Sequence, residues 1–372
     1  MSSRPLRFDE ALRWGAKPEV LVRFPRQLGD VVFVIPFLNS LRESWNAQAE
    51  AAGVQIRWVA LGHAMGAGLF SEAAPEFFAE TRLDGAHGKL EPLPLARRWR
   101  EEGPPAGIVT LGQSARLSLA AWLGGVPIRA GISDNGLGWM YHAHTKYRGE
   151  QAHLGARLSG LAAQLGLPPL RFEKVGSVQL GGTGGVAKLK AAGWDGHERL
   201  VALAPGTRAE GKRWAPEEAH WPGLARSLSD KGFRPVLLGT AEEAGLATLI
   251  REAAPRTLDL VGQTSLAEAA AILETAGAAV AVDTGLAHLA ALVDCAIVTL
   301  FGPSHEWFAQ PIGNWSLALR GNPFPSGDGA PAPPEALDAS LPHLHVERVV
   351  RALEMLASER EAALLAERKV SS

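Results

Sequence analysis

Short apolar runs that alternate with helical patterns constrain the fold of this chain more than any other feature. This alternation is typical of βα units and predicts mostly parallel sheets covered by helices. We therefore expect an α/β protein. The predicted strands lie at 20–24, 56–61, 108–111, 128–131, 200–204, 235–238, 278–282 and 297–301. The predicted helices lie at 30–45, 152–165, 286–292 and 346–369.

A change in amino-acid composition near the middle of the 372 residues predicts two domains. GLPP at 166–169 and GSVQLGGTGG at 176–185 are rich in turn-forming residues and offer little to pack, so we place a linker there. This gives an N-terminal unit over 1–175, a second unit over 176–345, and a terminal helical segment over 346–372. A Pro- and Gly-rich stretch at 321–334 is interpreted as a surface crossover.

Composition excludes several classes of protein. Hydrophobic residues make up 47% and charged residues 20%, and no uninterrupted apolar window of membrane-spanning length or secretory signal is present. A single cysteine, Cys295, excludes a disulfide framework. The net charge of −2 argues against a general nucleic-acid partner. We expect a cytoplasmic protein, either free or in peripheral contact with the inner membrane face.

Four loops that follow predicted strands are candidates for ligand binding, because open α/β sheets bind ligands at the carboxyl ends of their strands. The first, FPRQLGDVV at 24–32, contains Asp30, which is suited either to capping a helix or to acting as a general base. Arg23 and Arg26 flank it and would hold an anionic acceptor, or simply remain solvated.

The second loop, APGTRAEGKRW at 204–214, combines glycines with Thr207 and Lys212, a set that can cradle phosphate; the alternative is a solvated basic loop. The third, AVDTGLAHLAA at 281–291, would direct helix amides at an anion, with His288 as a phosphate donor or a structural hydrogen-bonder. The fourth, FGPSHEW at 301–307, indicates only a turn. Two phosphate-binding loops in one domain suggest a diphosphate ligand.

Other motifs are missing or weak. The chain has no Walker loop, no GxSxG elbow, no convincing GxGxxG and no Asp-x-Asp motif, and the last absence argues against a metal-held nucleotide sugar. Two HxH pairs, at 142–144 and 343–345, lack a third ligand, so we expect no metal site.

Taken with LGDVVFVIPFLNSLR (28–42), LLGTAEE (237–243), LVGQTSL (260–266) and TLFGPS (299–304), these loops resemble the ADP-heptose–lipopolysaccharide heptosyltransferases, glycosyltransferase family nine. The resemblance implies a GT-B fold, in which two Rossmann-like doubly wound domains face each other across a cleft and the nucleotide binds to the second. It also implies that the terminal helix packs back on the N-terminal domain.

The same resemblance implies an inverting transfer of a sugar, heptose by analogy, from an ADP-sugar to a glycan or glycolipid acceptor, without a metal or other cofactor. Asp30 takes the position of the general base, and Thr207 and Lys212 take those of the phosphate-binding residues. The remaining donor-binding positions are the ribose acid at Glu242 or Glu243, the adenine edge at Gln263 and Thr264, and the diphosphate and sugar group at Asp283, Thr284, Gly285, Leu286 and His288.

Three alternatives remain open at this point. One is a glycosyltransferase with another nucleotide-sugar donor, the second is a nucleotide-sugar epimerase, and the third is a non-catalytic nucleotide-sugar binder in which Asp30 only caps a helix. Arginines and lysines between 97 and 148 could meet anionic lipid, although scattered basic residues are usually just solvated.

Overall fold

The computed structural model describes residues 7–63, 67, 77–83, 91–133, 136–146, 154–170, 183–302, 304, 306–320 and 341–371. Its contacts divide the chain into two compact units, Met1–Phe172 and Glu173–Ser372. This division lies close to the predicted boundary after residue 175. The predicted linker at 176–185 falls outside the described residues except for its last three, which begin a helix, and the crossover at 321–334 also lies outside them.

The first unit contains a six-stranded parallel sheet in the order β3-β2-β1-β4-β5-β6, which is the doubly wound Rossmann order. The order reverses between β1 and β4, which are paired side by side. The strands are β1 (Lys17–Arg23), β2 (Arg57–Gly62), β3 (Glu80–Leu83), β4 (Pro105–Thr110), β5 (Ile128–Ile132) and β6 (Ala143–Thr145). The helices are α1 (Phe8–Arg13), α2 (Leu28–Ala51), α3 (Pro92–Glu102), α4 (Ala115–Leu123) and α5 (Leu154–Gln164).

The second unit repeats this arrangement with another six-stranded parallel sheet, in the order β12-β11-β10-β7-β8-β9. Here the order reverses between β7 and β10. The strands are β7 (Arg199–Ala204), β8 (Phe233–Leu237), β9 (Leu258–Asp259), β10 (Ala278–Val282), β11 (Ala296–Leu300) and β12 (Ser316–Leu319). The helices are α6 (Thr183–Ala191), α7 (Glu217–Asp230), α8 (Ala244–Ala253), α9 (Leu266–Ala276), α10 (Gly285–Leu292), α11 (Glu306–Ala309) and α12 (Val346–Ser371).

The central strands are apolar on both faces because helices cover both sides of each sheet. All six residues of β4 and all five residues of β10 and of β11 are buried. The predicted α/β class with two doubly wound units is confirmed. Strands β3, β6, β9 and β12 were not predicted; they are the edge strands of the two sheets and span only two to four residues each.

Helix α12 packs on the core of the second unit. Its apolar residues Val349, Val350 and Leu353 recur at helical spacing and belong to the same buried cluster as the strands β10 and β11. Lys231, the residue after α7, also forms an ion pair with Glu354 at 2.9 Å. The second unit thus extends through α12, which the sequence predicted as a separate segment after residue 345. Additional packing of this helix on the N-terminal domain stays a prediction.

No helix in the described parts of the chain combines the length and the apolar content that crossing a bilayer requires.

Candidate functional site

The point where strand order reverses in the second sheet brings two predicted loops together. The loop after β7 begins at Pro205 and the loop after β10 begins at Asp283, and these two strands are adjacent and parallel. In doubly wound sheets the adjacent loops separate at this point and leave a crevice at the carboxyl edge. The predicted phosphate-binding loops therefore lie side by side because of strand order.

A close ion pair joins the two loops. Lys212 Nζ donates to Asp283 Oδ2 at 2.6 Å, and the Asp283 side chain is 4% exposed. A short helical turn at Glu210–Lys212 positions the lysine, whose amide donates to the carbonyl oxygen of Ala209 at 2.9 Å. The Lys212 side chain remains 28% exposed, whereas its carboxylate partner is buried.

The loop is anchored just beyond the lysine. Trp214 is fully buried and stacks on His220 with ring centroids 4.7 Å apart. Its indole Nε1 donates to the carbonyl oxygen of Leu344 at 2.9 Å. A large buried aromatic two residues from Lys212 restricts the positions that the lysine can reach.

Asp283 also contacts two further side chains. Ser304 Oγ, from the loop after β11, donates to the same Oδ2 oxygen that receives the lysine. His288 Nε2, one turn into α10, lies 4.0 Å from Asp283 Oδ1. The aspartate therefore joins three loops of the carboxyl edge, and its carboxylate is engaged by protein groups.

The loop after β11 is held by a buried arginine that the sequence did not single out. Arg320 is 8% exposed and donates to the carbonyl oxygens of Gly302 and Ser304. Its Nε also donates to Glu306 Oε2 at 2.6 Å. These bonds fix the backbone that carries Ser304. The TLFGPS motif at 299–304 contains Ser304, but the sequence analysis assigned no role to this residue. No motif in the sequence pointed to Arg320.

The N-terminus of α10 is suited to binding an anion. The N-cap residue Thr284 makes no side-chain capping bond, and its buried Oγ1 has no hydrogen-bond partner among the described residues. Thr284, Gly285 and Leu286 are partly exposed at the positive end of the helix dipole. A phosphate oxygen there would accept from both the hydroxyl and the amides.

The two candidate ribose acids have different environments. Glu243 Oε2 accepts from the Thr240 amide at 2.6 Å and from Thr240 Oγ1 at 2.9 Å, which forms a capping box. The carboxylate also lies against Gly206 of the β7 loop, where a Cβ atom would come within 2.5 Å of Glu243 Oε1. Glu242 is exposed, so it is the acid whose side chain faces solvent.

Three more predicted donor residues lie on neighbouring loops. Gln263 and Thr264 follow β9, and Gln263 Nε2 donates to the carbonyl oxygen of Asp259 at 3.0 Å. The β9 loop is joined to the β8 loop by the bond from the Gly262 amide to the Gly239 carbonyl at 2.9 Å. Thr207 Oγ1 accepts from the Ala209 amide at 3.2 Å. All lie at the carboxyl edge of the second sheet.

The remaining predicted residues lie at the carboxyl edge of the first sheet. Asp30 is half-buried in the first turn of α2, Arg23 ends β1, and Arg26 is exposed. The carbonyl oxygen of Arg23 accepts from the amides of Leu111 and Gly112, each at 2.8 Å. A Cβ at Gly112 would lie 2.0 Å from the Phe24 oxygen, so this approach of the β1 and β4 loops requires glycine.

The first HxH pair serves the fold of the first unit. The Arg129 amide donates to His142 Nδ1 at 3.3 Å, and burial together with the Arg129 charge lowers the pKa of His142 to about 4. Among the residues that the structure describes, no three His, Cys, Asp or Glu side chains are grouped as a metal site would require.

Comparison with known proteins shows the family of this chain. Residues 127–325, more than half of the chain, match the family model described as glycosyltransferase family 9 (heptosyltransferase). Lipopolysaccharide heptosyltransferase 2 of Escherichia coli K12 is 32% identical over 173 residues, which cover 44% of this chain and 48% of that protein. The match thus spans about half the length of this curated relative.

Two solved structures share the fold over nearly the whole chain. The E. coli ADP-heptose LPS heptosyltransferase II superposes with a TM-score of 0.70 at 21% identity, covering 92% of this chain and 99% of that one. E. coli heptosyltransferase WaaC with ADP gives a TM-score of 0.64 at 20% identity, covering 91% and 99%. The predicted GT-B type, with two Rossmann-like units, is confirmed by these similarities.

Proposed function

We propose that this chain, which belongs to glycosyltransferase family 9, transfers heptose from an ADP-sugar to a hydroxyl group of a lipopolysaccharide-core acceptor. The relative from E. coli K12 is named as a lipopolysaccharide heptosyltransferase, and the WaaC structure contains ADP. These names supply the substrate classes for the proposal. The donor would bind to the second unit as a substrate, and no cofactor is proposed.

One observation carries the proposal. Where strand order reverses, the partly exposed Lys212 side chain reaches Asp283, the residue before the α10 N-cap Thr284, whose buried Oγ1 has no partner among the described residues. A cation, a hydroxyl donor and helix amides together form a site for a diphosphate. The diphosphate is the leaving group of the proposed reaction.

The proposed chemistry is a single displacement at the anomeric carbon. Asp30 accepts the proton of the acceptor hydroxyl while the hydroxyl oxygen forms the new bond to the anomeric carbon. The bond from the anomeric carbon to the diphosphate oxygen breaks, and the electron pair stays on the diphosphate. Lys212 and the α10 amides stabilise that charge, as preorganised donors do in other enzymes. Attack from the opposite face inverts the configuration.

The ribose and the base would bind further along the same edge. Glu242 faces solvent, whereas Glu243 Oε2 is occupied by the Thr240 cap. We therefore assign the ribose hydroxyls to Glu242, and the adenine edge to the β9 loop at Gln263 and Thr264. Arg23 and Arg26 would meet an anionic acceptor beside Asp30.

The proposal is tested by incubating the purified chain with ADP-heptose and a deacylated heptose-free core oligosaccharide, with and without a chelator. We expect a product larger by one heptose, in equal yield under both conditions. Product with another nucleotide sugar but none with ADP-heptose would refute the donor assignment. A chelator-sensitive yield would refute metal independence. Interconversion of the donor sugar without an acceptor would instead identify an epimerase.

A further inference from the structure

The turn that carries Lys212 meets the loop after β11 backbone to backbone. A Cβ atom placed on Gly302 would lie 2.7 Å from the carbonyl oxygen of Gly211, the residue before the lysine. Such a distance is shorter than a Cβ tolerates, so any side chain at position 302 would force the two loops apart. The close approach therefore depends on glycine, because only a residue without a side chain leaves enough space.

Gly302 is held in place without help from that turn. The Phe301 amide donates to the carbonyl oxygen of Leu319 at 2.9 Å, and the Gly302 carbonyl oxygen accepts from the buried Arg320. The fully buried Leu341 packs against the glycine as well, with its Cδ2 3.3 Å from the same Cβ position. The position of Gly302 is thus set by strand pairing, by an arginine and by the core.

The lysine turn itself has little that fixes its position. None of the three residues of Glu210–Lys212 is buried, so packing of their own side chains does not hold the turn. Besides the ion pair to Asp283, the turn is restrained by Trp214, whose indole donates to the Leu344 carbonyl oxygen at 2.9 Å, and by the contact with Gly302. The place of Lys212 therefore depends on a small number of contacts.

From these contacts we infer that Gly302 is a positioning residue for Lys212, because its missing side chain lets the turn lie close enough for the lysine to bind a diphosphate. The inference rests on the proposed function, since it takes Lys212 to bind the diphosphate of the donor. Gly302 acts only through the lysine turn. Binding groups must be held within about 0.5 Å of their productive positions, so a displaced turn would weaken the charge-assisted bond from the lysine.

The test is calorimetry of the full chain with ADP and, separately, with inorganic pyrophosphate. G302A should raise both dissociation constants by about tenfold. In the K212M background the same substitution should change them by less than about twofold, because the group that Gly302 positions is gone. G223A provides the matched control, since a Cβ on this glycine of α7 would meet only Val346 Cγ2 at an ordinary 3.7 Å. It should bind both ligands like the wild type.

A second pair of variants serves if G302A folds poorly. Leu341 and Leu353 are both fully buried in the same core cluster, so L341A and L353A should lose similar stability in urea titrations. Only L341A should also weaken ADP and pyrophosphate binding, by about threefold or more, because Leu341 is the side chain nearest to the Gly302 Cβ position. A purely structural role would lower affinity in both variants or in neither.

Three outcomes would overturn the inference. The first is G302A that binds both ligands like the wild type, and the second is additive losses in G302A/K212M, which would mean that Gly302 does not act through the lysine. The third is L353A that weakens binding as much as L341A does.

Pyrophosphate separates this inference from the proposed transfer, because it contains neither base nor sugar. Weaker pyrophosphate binding by G302A would uphold the positioning role even if the wild type transferred no heptose. Heptose transfer by the wild type, together with unchanged pyrophosphate binding by G302A, would remove the positioning role alone. Wild type that binds neither ligand would remove both the diphosphate site and its positioning.

Discussion

The ammonium nitrogen of Lys212 lies 2.6 Å from a carboxylate oxygen of Asp283, although 71 residues separate them in the chain. The contact exists because β7 and β10 are neighbours in the sheet while the chain between them builds β8, β9 and three helices. Since Asp283 also receives Ser304 and approaches His288, it positions the lysine at the proposed diphosphate site.

Replacing Lys212 should weaken ADP binding and also destabilise the fold. K212M removes a charged donor from the proposed diphosphate site, so the dissociation constant for ADP in calorimetry should rise by about 10- to 100-fold. The variant also leaves the Asp283 carboxylate buried with less compensation, which should cost about 2 kcal/mol of unfolding free energy.

Lys190 provides the matched control, because it is exposed at the end of α6. K190M should bind ADP like the wild type. Unchanged ADP affinity in K212M would remove the lysine from the diphosphate site.

Asp283 and Lys212 should behave as one unit in binding. D283N keeps the shape of the side chain but removes the charge that holds the ammonium group, so ADP affinity should fall by about tenfold. In the double variant D283N/K212M, the loss should be smaller than the sum of the two single losses. Additive losses, measured by the same calorimetry, would mean that the aspartate does not act through the lysine.

Asp30 should affect transfer without affecting the donor. If it is the general base, D30N should lower kcat by about 100- to 10,000-fold, because removing a positioned base costs that much. ADP affinity should stay within experimental error, since Asp30 lies on the other unit. If D30N retained full transfer activity, Asp30 would not be the general base, and its role would be limited to the first turn of α2.

Arg320 should be required for the loop that carries Ser304. R320M leaves Glu306 and two carbonyl oxygens without their donor, which should lower the unfolding free energy by about 3 kcal/mol in urea titrations. We expect R351M, which changes an exposed arginine on α12, to alter it by less than about 0.5 kcal/mol. Equal stability of the two variants would contradict the positioning role.

His142 should make the first unit less stable in mild acid. Its pKa is lowered from 6.5 to about 4 by burial and by Arg129, so between these values the unfolded chain binds more protons than the folded chain. Stability is therefore lost as pH falls from about 6.5 towards 4. We compare the unfolding free energy of H142Q with that of the wild type at pH 5 and at pH 8. The difference should favour H142Q more at pH 5 than at pH 8, by less than about 1 kcal/mol because the ring is partly solvated. A difference independent of pH would contradict this assignment.

Much of the fold follows from local sequence pattern. The apolar runs at 278–282 and 297–301 predict β10 and β11 within a residue, because fully buried parallel strands are apolar throughout. The short edge strands escape prediction, since Ala143–Thr145 carries no apolar period of its own and is fixed by pairing with β5. His142 and His144 take part in this strand pairing, through the bond from the His142 amide to the Arg129 carbonyl and the register of His144 with Gly131.

Sequence alone determined the residue types and the loops of the candidate site, including Lys212, Asp283 and the turn before α10. Tertiary structure alone decided that Lys212 and Ser304 meet on one carboxylate, that Arg320 holds the backbone of the β11 loop, and that α12 packs on the second unit. The physical reason is the distance along the chain over which each kind of interaction acts. Apolar period and turn chemistry act over a few residues, whereas these contacts depend on strand order and on side chains that are far apart in the chain.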